Sequence, residues 1–143
     1  MERPEWMPYA HRYKYPHMSP EDEKIWERFI DQNPDAYERV AYDFAIGGGA
    51  EFDTVVNAAT GGHIGRLYQR RIDVLAQAAG TTFVIELKPR ASTSAIGQVA
   101  GYAKIIARDL PDAGHVQAII LTDALLPEMD WLARDQDVAI LIA

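Results

Sequence analysis

Hydrophobic positions recur along the chain with the 3.6-residue period of helices in some segments and the two-residue period of strands in others. The segment SPEDEKIWERFIDQNP begins with Ser19 as an N-cap and Pro20 at the first helical position, followed by acidic residues in the first turn. Its apolar positions form one stripe, which consists of Ile25, Trp26, Phe29 and Ile30. We therefore predict a first helix that buries one face.

Strand-like alternation follows this helix. AYERVAYDFAIG predicts a strand that ends at Gly47. RLYQRRIDVLAQ and TTFVIELKP, residues 66–77 and 81–89, predict the two arms of a hairpin that turns at AAG, and Pro89 closes the second arm because it cannot donate to a ladder. Residues 47–65 are punctuated by glycines and lack the context of a nucleotide-binding loop, so we interpret them as turns or a mobile flap.

The segment STSAIGQVAGYAKIIARDL predicts a second helix, capped by Ser92 or Ser94. Gly97 and Gly101 lower its helix propensity, and we expect a close approach of helix and sheet in return. The predicted buried face consists of Ile96, Val99, Ala100, Ala103, Ile106 and Ala107. HVQAIILTD, LPEMDWLARDQ and VAILIA then predict a buried strand, a short helix and a last strand.

The predicted order is α-β-β-β-α-β-α-β, which is typical of an α/β fold with helices packed on a mixed β-sheet. Residues 19–143 are predicted to form one domain. Residues 1–18 are predicted to form an extended basic and aromatic arm, because three prolines disfavour a long helix.

The arm allows two interpretations. Its aromatic side chains pack on its own domain or on a neighbouring subunit, which would make the arm a contact for a homo-oligomer or a protein partner. Alternatively, its interleaved basic and aromatic residues grip single-stranded nucleic acid. We favour the first. The residues concerned are Trp6, Tyr9, Tyr13 and Tyr15 with Arg3, His11, Arg12, Lys14 and His17.

Composition narrows the possible functions. The 143 residues, 48% of them hydrophobic, suit one domain with a real core. No apolar run is long enough to span a bilayer and the first residues are too polar for a signal peptide, so we expect a cytoplasmic protein with no membrane contact. With no cysteine, a metal would bind through oxygen or imidazole. The net charge of -7 means that a nucleic-acid partner needs a local basic patch.

Charged residues interrupt the apolar hairpin. Glu86 and Lys88 share one face of their strand with Val84, and Asp73 lies in the adjacent arm. If Asp73 lies on the Glu86 face, two carboxylates and an ammonium group meet at one edge of the sheet. Such charges are costly unless they neutralise one another or bind an ion.

Two interpretations of this cluster stay open. Two carboxylates and a backbone carbonyl, here that of Leu87, form an oxygen site suited to Mg²⁺ or Mn²⁺. Such an ion activates water for attack on a phosphodiester, and a lysine beside it orients the nucleophile. The alternative is an ion pair at the rim of the sheet, with no catalytic role.

RID in the first arm, IELK in the second and QVAGY in the following helix resemble the motifs of the PD-(D/E)XK nuclease superfamily. The Gln-x-x-x-Tyr spacing of Gln98 and Tyr102 is similar to its exonuclease-like branch. The resemblance covers residues 19–123 and implies a restriction-endonuclease-like core. Ile72 stands where the proline of the family name would be.

The resemblance implies a role for each matched residue. Asp73 and Glu86 would hold Mg²⁺ or Mn²⁺ together with the Leu87 carbonyl, and Lys88 would be the catalytic lysine. Gln98 and Tyr102 would support the metal ligands or contact DNA phosphate, although both also suit an ordinary helix surface.

The superfamily often adds an acidic residue from the first helix. Asp22 and Glu27 are the candidates, and we favour Glu27 because Asp22 also suits a capping box with Ser19. Arg71 and Arg90 are the expected DNA contacts. The wider basic set near the motifs, which also suits a solvated surface, adds Arg66, Arg70, Lys104 and Arg108.

We therefore predict a metal-dependent nuclease that hydrolyses DNA, in the style of small nucleases encoded by phages or mobile elements. The alternative is a non-enzymatic assembly protein that keeps the fold, such as a component of a phage particle or repair complex. The acidic net charge and the aromatic arm favour that alternative.

Overall fold

A computed structural model describes residues 1–46, 70–124 and 126–143. Within these ranges, six strands form one sheet in the order β1-β2-β3-β4-β5-β6. Their bounds are β1 Met7–Pro8, β2 Arg39–Ile46, β3 Arg70–Ala78, β4 Thr81–Leu87, β5 His115–Thr122 and β6 Val138–Ile142. Strands β1 to β4 pair antiparallel, whereas β4, β5 and β6 pair parallel. The prediction of a mixed sheet is confirmed.

Three helices cover the described sheet: α1 Pro20–Gln32, α2 Thr93–Asp109 and α3 Pro127–Asp135. Helix α1 packs on one face of the sheet, and α2 and α3 pack on the other. The α1-side core includes Trp26, Phe29, Tyr42, Val74, Ile85 and Leu87. The α2-side core includes Phe44, Ile72, Leu75, Val84, Val99 and Tyr102. The predicted α/β fold class is confirmed.

Helix α1 begins as its sequence indicates. The hydroxyl oxygen of Ser19 accepts a hydrogen bond from the Asp22 amide at 3.1 Å, which satisfies a free N–H group of the first turn. The predicted apolar stripe is buried. Its Trp26 donates a hydrogen bond from Nε1 to the Tyr42 hydroxyl at 2.9 Å, so the polar edge of the ring has a partner inside the core.

The predicted hairpin joins β3 to β4 through two residues. Ala79 and Gly80 both have positive φ, +51° and +79°, the backbone conformation that matches a two-residue turn to the twist of its strands. The predicted turn is confirmed. The predicted glycine-punctuated segment and the first residues of the predicted hairpin, together residues 47–69, lie outside the described residues.

Helix α2 departs from its prediction in its packing. Ser92 is the cap, with its side-chain oxygen accepting from the Ala95 amide. The expected close approach at Gly97 and Gly101 is wrong, because a Cβ on either residue would meet nothing within 4 Å. The prediction that Ala107 is buried is also wrong, because it lies on the exposed side of the helix.

Tyr102 lies on the buried face of α2. It is 2% exposed, and Val99 and Ile106, one turn to either side, are fully buried. The helical period predicted a buried face, but alanines and glycines around most of the helix left the direction of that face ambiguous.

Residues near the start of the chain pack on the domain. Strand β1, which the hydrophobic pattern does not predict, pairs with β2 at Met7↔Val40. The Tyr9 ring contacts Trp26 at 5.9 Å between centroids, and Tyr15 is 2% exposed against Tyr42. The interpretation that these aromatic side chains cover their own domain therefore describes Tyr9 and Tyr15. No helix of the described residues is long and apolar enough to cross a membrane.

Candidate active site

Asp73 and Glu86 meet where β3 and β4 separate. The last paired residues of the two strands in this direction are Val74 and Ile85, so the ladder ends one residue before the two acids. The Asp73 carboxylate accepts a hydrogen bond from the Leu87 amide at 2.9 Å. The Asp73 amide in turn lies 3.4 Å from Oε1 of Glu86 and donates to it. The two carboxyl groups are thereby held side by side.

Burial and mutual repulsion perturb both acids. Burial, followed by the negative charge of Asp73, raises the pKa of Glu86 from 4.5 to about 8. Burial also raises the pKa of Asp73, against the lowering effect of the Leu87 amide. Glu86 is only 4% exposed. Such a pair is costly to ionise, so it attracts a proton or a cation.

The charges of Lys88 and Asp22 also act on the acid pair. The Lys88 ammonium lowers the pKa of both carboxyls, although by less than burial raises it. Burial raises the pKa of Asp22, while Ser19 and the Lys88 charge lower it. The Asp22 charge also acts on Asp73. Asp22, on the first turn of α1, is therefore close enough to the pair for its charge to act on Asp73.

Glu27, which we favoured from the sequence, lies elsewhere. Its carboxylate contacts His11, whose other ring nitrogen is 2.7 Å from Asp31 on the same helix. The two contacts of His11 thus join residues 1–18 to the outer surface of α1. The physical reason for the difference is rotation about the helix axis, which the apolar stripe fixed only roughly.

Gln98 and Tyr102 approach the acids from α2. The Gln98 amide nitrogen donates to the Tyr102 hydroxyl at 2.5 Å. Burial raises the pKa of Tyr102, the bond from Gln98 lowers it, and the charge of Glu86 raises it again. The charges of Arg70 and Asp73 also act on Tyr102, so the hydroxyl faces the same cluster.

The predicted DNA-contacting arginines differ in their surroundings. Arg71 is bound to Asp43 on β2, with 2.7 Å between Nε and Oδ1. Arg90 follows Lys88 by two residues and is exposed. Arg70, at the start of β3, is exposed and acts on Tyr102, a role that its place in the sequence alone did not single out.

The other predicted basic residues add little here. Arg66 lies outside the described residues. Arg108 forms an ion pair with its neighbour Asp109 near the end of α2, and Lys104 is exposed on the same helix.

The donor set fits a hard divalent cation with few protein ligands. Within residues 1–46, 70–124 and 126–143 there is no group of three or more His, Cys, Asp or Glu side chains placed to hold a metal. Asp73 and Glu86 provide two carboxylates, and Mg²⁺ characteristically uses one or two carboxylates and keeps several waters. The buried, mutually repelling pair therefore fits Mg²⁺ or Mn²⁺.

Comparison with known proteins shows the fold. No family model and no curated protein matches the chain. The crystal structure of a repair endonuclease from Pyrococcus abyssi is similar, with a TM-score of 0.58 and 16% identity over 94% of this chain and 49% of that one. The structure of EndoMS in apo form is also similar, with a TM-score of 0.53 and 19% identity over 94% and 48%.

The chain thus spans about half the length of both endonuclease structures. At these identities the likeness establishes a shared α/β fold. The predicted restriction-endonuclease-like architecture, a mixed sheet flanked by helices, agrees with that of the two endonucleases.

Proposed function

We propose that this protein is a metal-dependent nuclease that hydrolyses DNA phosphodiester bonds. The observation that carries the proposal is the pairing of Asp73 with Glu86 at the end of the β3–β4 ladder, beside the charge of Lys88. A shared fold with a repair endonuclease supports DNA as the nucleic acid. Half-buried and buried acids that repel each other stabilise no fold by themselves, which supports a functional reason for their position.

In this proposal Asp73 and Glu86 hold Mg²⁺ or Mn²⁺, with the Leu87 carbonyl as a further ligand. When bound, the ion supplies positive charge to the phosphate under attack and acidifies a water molecule. The Leu87 amide fixes the direction of the Asp73 carboxylate. The Lys88 charge acts on both acids, and in this proposal its ammonium group assists the attacking water and holds the phosphate.

Tyr102 and Gln98 support the acids from the other side. Because Tyr102 is buried and accepts a hydrogen bond from Gln98, its hydroxyl hydrogen is free to be donated toward the Glu86 side. Asp22 adds a negative charge from α1, which would attract the cation. Helix α1 thus contributes one polar group to the surroundings of the pair, and helix α2 contributes two.

The exposed cations around the pair form the proposed DNA surface. Arg70 and Arg90 lie at the two strand ends that carry the acids. Arg12, Tyr13 and Lys14 are exposed, and Tyr13 is fully so, which sets it apart from Tyr9 and Tyr15. A basic and aromatic segment of this kind binds unpaired nucleotides by stacking and charge. We assign it a contact with single-stranded DNA.

The alternative of a non-enzymatic assembly protein has lost one of its supports. Its aromatic arm is engaged with its own domain at β1, Tyr9 and Tyr15. A homo-oligomer or protein partner bound through residues 1–18 would have to use the exposed part of that segment.

The test is incubation of the purified protein with labelled single-stranded, double-stranded, nicked and branched DNA and with RNA, in Mg²⁺ or Mn²⁺. We expect cleavage of at least one DNA form, lost in EDTA and in Lys88→Met. A protein that is folded and binds Mg²⁺ but cleaves nothing in the panel would contradict the proposal.

A further inference from the structure

Strands β2 and β3 change faces at the same place in the sheet. On β2, Tyr42 packs in the α1-side core and Phe44 in the α2-side core. On β3, Val74 packs in the α1-side core and Ile72 in the α2-side core. Residues two apart in a regular strand share a face, so both strands are turned between these positions. The turned segment lies directly beside the proposed metal site.

Asp43 and Asp73 occupy the two turned positions. The register pairs Tyr42 with Val74 and Phe44 with Ile72, which leaves the two aspartates opposite each other and unpaired in the ladder. Asp43 has a φ of +49°, a left-handed conformation that few residues other than glycine adopt. Aspartate tolerates it better than most side chains. The change of face therefore has a defined backbone origin on β2.

Arg71 holds the turned residue from the neighbouring strand. Its guanidinium Nε lies 2.7 Å from Oδ1 of Asp43, and its NH2 group donates to the Asp43 main-chain carbonyl at 2.9 Å. It thus binds both the side chain and the backbone of Asp43. A planar guanidinium is suited to such a two-point contact, whereas lysine is not.

The change of face affects the hydrogen bonding of Asp73, two residues after Arg71. In a continued ladder the Leu87 amide would find a main-chain partner on β3, but the β3–β4 pairing ends at Val74↔Ile85. The Asp73 carboxylate accepts from that amide instead. The turn in the paired strands is what brings the carboxylate into this place, beside Glu86.

We infer that Asp43 and Arg71 are positioning residues that set the direction of the Asp73 carboxylate. This inference rests on the proposed nuclease function for its effect on rate, but its structural part does not. The Asp43–Arg71 ion pair keeps β2 turned, the turned β2 keeps β3 turned, and Asp73 is thereby held against the Leu87 amide. Catalytic groups lose rate steeply when displaced by about 1 Å.

The test uses Asp43→Gly, which tolerates the positive φ but lacks the carboxylate that Arg71 binds. The matched control is Asp112→Asn, which removes an acid that pairs with Arg39 on the same strand at 3.3 Å, away from the turn. Hydrogen exchange of the Leu87 amide reports the position of Asp73 directly. Asp73→Ala, which has no side-chain acceptor, calibrates that signal, and the Lys88 amide, bonded to the Leu121 carbonyl, is an internal reference.

We expect Asp43→Gly to lose protection at Leu87 but not at Lys88, and to lower kcat by about 100-fold with KM changed little. Asp43→Asn should restore part of both, because it keeps a side-chain oxygen for Arg71. Asp112→Asn should match the wild type. Wild-type Leu87 protection in a folded Asp43→Gly protein would overturn the inference, whereas lost protection in a protein that never cleaves DNA would overturn only the proposed function.

Discussion

The Leu87 amide donates to the Asp73 carboxylate at 2.9 Å, and this single bond replaces a strand-to-strand bond at the point where β3 leaves β4. The Asp73 side chain thus accepts the hydrogen bond that a main-chain carbonyl would accept in a continued ladder. The Asp73 carboxylate is therefore fixed at the end of the β3–β4 ladder, with little freedom to turn away from Glu86. A rigid element of this kind places a ligand more accurately than a loop does.

The buried pair predicts an unusual pH dependence of stability. Because burial and the Asp73 charge raise the pKa of Glu86 to about 8, the folded protein retains a proton that the unfolded chain releases at lower pH. Without metal, stability should fall as pH rises from about 4.5 to about 8, by at most about 1.4 kcal/mol per pH unit. Urea unfolding in EDTA at several pH values measures this, and Glu86→Gln should flatten the dependence. A wild-type protein that gains stability across this window would contradict a raised Glu86 pKa.

Mg²⁺ should stabilise the folded protein through the same pair. At a free concentration of 100 Kd the expected stabilisation is about 2.7 kcal/mol, which thermal unfolding detects as a higher Tm. The effect should grow between pH 6 and pH 8, since Glu86 must lose its proton to bind metal. Asp73→Asn should abolish it and the surface variant Asp112→Asn should keep it. Equal Mg²⁺ shifts in both variants would place the ion elsewhere.

Substitutions of Asp22 and Glu27 should differ in their effect on metal affinity. In Asp22→Asn the main-chain amide of residue 22 still donates to the Ser19 hydroxyl, but a charge that acts on Asp73 is lost. We therefore expect metal affinity to fall by about 10-fold or more. Glu27→Gln should leave it unchanged, because its carboxylate contacts His11. Calorimetric titration with Mn²⁺ compares the two. The reverse order of effects would restore our preference from the sequence.

Tyr13 should matter for binding and not for folding. Tyr13→Ala should weaken affinity for DNA with unpaired bases by about 1–3 kcal/mol, the range for one stacked base, and leave duplex affinity nearly unchanged. Tyr13→Phe should behave as the wild type. Fluorescence anisotropy with a catalytically inactive variant measures both. Unaltered affinity for every DNA form would remove this segment from the DNA surface.

Much of the fold was predictable because local and tertiary signals agree. The hairpin alternates with period two, and Ala79-Gly80 supplies the turn, so the sequence already placed Glu86 and Lys88 on one face. Strand β1 was missed because two paired residues carry no period. The choice between Asp22 and Glu27 was hard to make from the sequence, because a stripe of apolar residues fixes the rotation of a helix only to within a residue or so.

The turn at Asp43 was not readable from the sequence. Alternation across AYERVAYDFAIG looks regular, because each side of the sheet is apolar and either face accepts a Tyr or a Phe. The positive φ of Asp43 accompanies a contact with Arg71, 28 positions along the chain. Local propensity carries no information about such a partner.

The most direct measurement is the single-turnover rate of cleavage of the best DNA substrate in Mg²⁺, for the wild type, Asp73→Asn and the surface control Asp112→Asn. The metal-centre account predicts that Asp73→Asn, while folded, loses at least about 100-fold in rate and that the control retains the wild-type rate. Equal rates for Asp73→Asn and the wild type would contradict it, because the buried pair would then have no part in the chemistry.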